Sequence, residues 1–193
     1  MSPFIILTCS TTGDIRRARN AKAIIKRIFW AGGRRLINEK QFSRRAELFD
    51  LNDDVLMEFN NYFDKENRDY NCFSLDDEED VLTLQNFVEQ IKQTDSYSTI
   101  YVCTYGYEIT NSKGKKSTYA DTLWIDTVLS ISQIEEIIEG CGVAEPSDIS
   151  FVEDSAENGN GNIWLITQDE HSQQIMELTD RKKINHMIML YWD

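Results

Sequence analysis

The first residues with chemical potential stand near the N-terminus. Ser10, Thr11, Thr12 and Gly13 follow an apolar run and precede Arg16 and Arg17. Hydroxyls and unpaired backbone N–H groups at a helix start, backed by two guanidinium groups, can hold an anion such as a phosphate. The stretch has neither the glycine spacing nor the lysine of a P-loop. An ordinary N-cap at Thr11 or Thr12 accounts for the same residues without a ligand. Cys9 stands just before this helix start, where the helix dipole lowers a thiol pKa. No histidine lies near it in sequence, and the arginine that closes a phosphatase loop would fall at Ile15.

Metal chemistry has little to build on. His171 and His186 are the two histidines, and Cys9, Cys72, Cys103 and Cys141 are too widely spaced for a zinc site. Asp50, Asn52 and Asp54 begin like a calcium loop. Val55 then occupies the place of the turn glycine, and Asn61 that of the closing glutamate. Residues 154–162 offer oxygen ligands in no recognisable order, as a solvated loop would. No catalytic residue, metal or cofactor is expected.

Charge is more informative. The net charge is −13, yet residues 1–50 hold eleven Lys/Arg against four Asp/Glu, a net +7 that leaves −20 for the remainder. Residues 16–45 pair arginines (Arg16-Arg17, Arg34-Arg35, Arg44-Arg45) with Phe29, Trp30 and Phe42 between them. That combination suits phosphate contact and base stacking. The acidic clusters include Asp76, Asp77, Glu78 and Glu79, and then Glu135, Glu136 and Glu139. They suit a basic protein partner, because opposite charge speeds encounter and selects among partners. The first cluster also suits the start of a helix, whose dipole favours acids there. Self-neutralisation, within one molecule or between copies, is the remaining account of the asymmetry.

The elements that would position these groups follow from periodicity. Thr99, Tyr101, Cys103, Tyr105, Tyr107 and Ile109 alternate with Ile100, Val102 and Thr104, the pattern of a half-buried strand. Asn111-Ser112-Lys113-Gly114 breaks it, and a second run to Val128 follows. Residues 4–8 read as a short buried strand and 15–29 as an amphipathic helix. Residues 34–66 look helical, with Asn52 or Asp53 as a cap and Leu56, Phe59, Tyr62 and Phe63 on one face. Residues 67–74 read as a polar connection. Val81, Leu84, Phe87, Val88 and Ile91 recur at helical spacing. Ser130 and Gln133 fit a capping box that opens a helix ending at Gly140. Residues 148–153 and 162–167 read as strands and 169–181 as a helix; in 186–192 the continuous apolar run favours a terminal strand, while the spacing of Ile184, Met187, Ile188 and Tyr191 also suits a helix.

The expected architecture is a single α+β domain over residues 1–193. Its sheet is mainly antiparallel and built around a long β-hairpin at about 99–109 and 118–128, with helices packed on it. The widely spaced cysteines fit a reducing, cytoplasmic setting, and no stretch approaches the length of a membrane span. The function this composition favours is a non-enzymatic acidic binding module of the inhibitor or immunity type, recognising a basic protein. The alternatives are a nucleic-acid- or nucleotide-binding protein using residues 16–45 and Ser10–Gly13, and a structural or homo-oligomeric subunit.

Overall fold

The computed structural model describes residues 5–6, 49–50, 52–64, 70–75, 77–110, 114–154, 161–168 and 173–193; at 5, 6, 105–108, 168 and 173 it describes the backbone alone. The content is mixed α and β. Among the described residues nine strands belong to one open sheet, and there are three α-helices. The strands are β1 (Ile5–Ile6), β2 (Asp54–Glu58), β3 (Asn71–Phe73), β4 (Thr99–Thr110), β5 (Lys116–Asp126), β6 (Asp148–Phe151), β7 (Ile163–Gln168), β8 (Gln173–Glu177) and β9 (Ile188–Tyr191). The helices are α1 (Phe59–Tyr62), α2 (Glu78–Thr94) and α3 (Ile131–Cys141). Strand order is β6-β9-β5-β4-β2-β7-β8, with β1 on β4 and β3 on β5.

The chain groups into two compact units, each assembled from three segments. One takes residues 1–72, 104–120 and 159–179; the other takes 73–103, 121–158 and 180–193.

In the first unit β2 lies parallel to β7, with Val55 opposite Trp164 and Leu56 opposite Leu165. Val55, Leu56 and Met57 are all buried, as befits a parallel strand covered on both faces. β8 completes the edge antiparallel to β7, from Trp164 opposite Glu177 to Gln168 opposite Gln173. The single turn of α1 buries Phe59 and Tyr62. Its last carbonyl, on Tyr62, accepts from the Asn71 amide at 2.9 Å, and the Tyr62 hydroxyl donates to the Cys72 carbonyl at 2.6 Å.

Three expectations fail here. Asn52 and Asp53 do not cap a helix: residues 54–58 form β2, and among the described residues of 34–66 only 59–62 are helical. The spacing of Leu56, Phe59 and Tyr62 mimics one helix face, but it arises from a strand running straight into a single turn. The partner that fixes β2 as a strand lies more than a hundred residues downstream, beyond the reach of any local pattern. Residues 71–73 are not polar connection but β3, where Asn71 is buried because its amide is used. Residues 173–177 are a strand and not part of a helix; at the sheet edge most of β8 faces solvent, so it carries no clear apolar alternation.

In the second unit α2 buries Val81, Leu84, Phe87, Val88 and Ile91, the residues its periodicity selects. Its first turn holds Glu78, Glu79 and Asp80, where the dipole favours acids. The capping box of α3 is present: Gln133 N–H donates to Ser130 Oγ at 3.3 Å, and Ser130 N–H to Gln133 Oε1 at 3.0 Å. The helix does not stop at Gly140. It runs to Cys141 and ends on Gly142, whose N–H donates to the Ile138 carbonyl and whose left-handed φ of 69° turns the chain that follows off the helix axis.

β9 inserts antiparallel between β6 and β5, with Leu190 facing Ile149 on one side and Leu123 on the other. Residues 188–191 are thus a strand, which decides between the two readings of this segment in favour of its continuous apolar run. Leu123, Trp124, Ile125, Ile188 and Leu190 are all buried, with Leu123 and Ile125 on the opposite face of β5 from Trp124. Trp192 closes the unit: its indole donates to the Ala144 carbonyl at 2.8 Å, and its ring meets Phe73 edge-on.

Candidate functional site

The geometry of α3 follows from its sequence. Ile134 and Ile138, four apart, go inward, which turns Glu135, Glu136 and Glu139 to solvent. α2 does the same with its start: Asp77, Glu78 and Glu79 are exposed. Asp76 lies outside the described residues. α2 and α3 pack against each other, so both acidic sets belong to one helical layer. The second unit carries 19 Asp/Glu against 4 Lys/Arg, a net −15, and the first carries 14 against 16, a net +2. The charge asymmetry of the sequence therefore becomes one acidic unit and one nearly neutral unit.

The two helices are joined at one end by a residue that sequence patterns did not single out. Asp95, the C-cap of α2, is buried. Its Oδ2 accepts from the Thr127 hydroxyl at 2.7 Å and from the Val128 N–H at 3.1 Å, and its Oδ1 accepts from the Tyr97 N–H at 3.1 Å. The Thr127 hydroxyl, followed by the Val128 N–H, holds this carboxyl below its ordinary value of 3.8, against the opposing effect of burial. One carboxylate thus ties the loop leaving α2 to the loop entering α3. Tyr97 and Val128 beside it are almost wholly exposed. The one local hint was an Asp followed by Ser-Tyr-Ser, which suits a turn.

Asp53 plays a similar part in the first unit. It is buried and accepts from the N–H groups of Asn162 (2.9 Å) and Asp50 (3.1 Å) and from the Trp164 indole (2.9 Å). All three of these donors are structural, so the carboxylate serves to hold the two segments together. The neighbouring Asp50, Asn52 and Asp54 frame that clamp.

Other reactive groups are dispersed. His186 Nε2 and Asp126 Oδ1 lie 2.9 Å apart, both about half exposed. Cys72, Cys103 and Cys141 are free thiols, and burial pushes the Cys141 thiol up, away from thiolate character. Among the described residues no three His, Cys, Asp or Glu side chains come together as a metal site, and no helix is long and apolar enough to cross a membrane. Ser10, Thr11, Thr12, Gly13, Arg16, Arg17, Arg34 and Arg35 lie outside the described residues.

No protein-family model, curated protein or solved structure matches the chain.

Proposed function

We propose that this chain is a non-enzymatic binding module of the inhibitor or immunity type, which docks an acidic helical face on a basic protein. The observation that carries this reading is the −15 charge of the second unit, displayed in part by the exposed Glu135, Glu136 and Glu139 of α3. Net charge of one sign on a compact unit raises the rate of encounter with a partner of opposite sign. The reading includes a cytoplasmic setting and a long hairpin of β4 and β5 as the support behind α2 and α3.

The test is kinetic. Affinity capture from the cells that make the protein supplies the partner, and Glu135→Lys with Glu136→Lys is compared with the parent chain by stopped-flow mixing. Association should slow about tenfold at low salt while dissociation changes little, because rim charges act on encounter. Thermal melting should be unaltered, since both side chains point into solvent. An unchanged association rate would mean that the acids only keep the chain in solution.

A further inference from the structure

We infer that Tyr97 and Val128 form the apolar anchor of this acidic face and enter an apolar cleft, rimmed by Lys and Arg, on the same basic partner. The inference rests on the binding reading above. Tyr97 is 92% exposed and Val128 89%, the two most exposed large apolar side chains among the described residues. They belong to different loops, yet their backbone N–H groups donate to the two oxygens of one carboxylate, that of Asp95. The two nitrogens are therefore no farther apart than a carboxylate's width plus two hydrogen bonds.

The Thr127 hydroxyl adds a third bond to the same carboxylate and accepts from the Leu129 N–H at 3.2 Å. The Ser130–Gln133 capping box then fixes the chain into α3. Both residues are thus displayed on backbone that is ordered before any partner arrives, which removes part of the entropic cost of binding.

Energetically dominant interface residues are typically a few aromatic or aliphatic anchors surrounded by a polar rim. The rim is present in sequence and in exposure. Gln93, Thr94 and Ser96 precede Tyr97, Ser130 and Ser132 follow Val128, and Glu135 and Glu136 come within two further turns of α3. The sign of the rim selects the occupant. A second copy would bring another −15 unit against this one, whereas a basic surface is attracted by the unit's net charge and, at the rim itself, by Glu135 and Glu136.

Anchor and rim leave different kinetic signatures, and the experiment uses that. A benzophenone side chain is placed at position 97, at 128 or, as control, at Met176, which is half exposed in the first unit. The full chain is illuminated in the cells that make it, and adducts are identified by mass spectrometry. The expected result is one basic protein joined at 97 and 128 but not at 176. With that protein purified, Tyr97→Ala with Val128→Ala should speed dissociation at least about tenfold and change association less than about twofold. The charge-reversed pair should show the opposite split, with melting curves unaltered in both. If the partner binds with charge-sensitive association but gives no adduct at 97 or 128, or one equally at 176, the anchor is refuted and the binding reading stands. An adduct with a second copy or with an acidic protein overturns both.

Discussion

A carboxylate withdrawn from water needs donors to replace its hydration, and both buried clamps of this protein meet that need with backbone N–H groups and neutral side chains. Asp53→Ala would leave the Asn162 and Asp50 N–H groups and the Trp164 indole without their acceptor. The expected loss is on the order of 3 kcal/mol, read from urea denaturation. Gly161 stands beside this clamp for a steric reason: a Cβ there would run into the Asn52 backbone carbonyl. Gly161→Ala must push the two segments apart, so it should cost about 3 kcal/mol or abolish folding, as judged by circular dichroism.

Asp95 gives a pH dependence whose sign is set. Its pKa is lowered on folding, chiefly by the Thr127 hydroxyl, so its contribution is complete above the ordinary value of 3.8 and is lost as pH falls below it. The melting temperatures of the parent and Asp95→Asn should therefore differ most at neutral pH and converge in acid. A constant difference down to pH about 2 would show that the charge of the carboxylate is not what ties the loops.

At the scale of elements, the two glycines at the end of α3 separate helix propensity from helix termination. Gly140 sits within the last turn with open space where a Cβ would go, and Gly142 holds the left-handed conformation of the cap. Gly140→Ala should stabilise by about 0.5–1 kcal/mol and Gly142→Ala should destabilise by about 1 kcal/mol, both measured by chemical denaturation. Had the helix ended at Gly140, the order would reverse.

Where a face and its partner lie within a few residues, as in α2, the Ser130–Gln133 box and the alternation of β4, the pattern was legible. β2 was not, because its partner β7 lies more than a hundred residues away, and β8 was not, because at the sheet edge most of its side chains face solvent and leave no apolar alternation. The exposed glutamates of α3 could be read from Ile134 and Ile138. Asp95 could not, since its value comes from Thr127 and Val128, more than thirty residues away.

At the scale of the molecule, neither unit is a continuous piece of chain. The first waits for residues 159–179 to supply β7 and β8, and the second for β9, its partner strand on two sides. During synthesis the Val55-Leu56-Met57 run emerges long before the strand that will cover it, and Leu123 and Ile125 wait for Ile188 and Leu190. The nascent chain therefore passes through a long interval with apolar strands unpaired, as parallel and nonlocal pairing requires. The solubility of that unfinished chain rests on residues already made. The acids of α2 and α3 emerge during that interval, so their like-charge repulsion would keep neighbouring nascent chains apart before the sheet is complete.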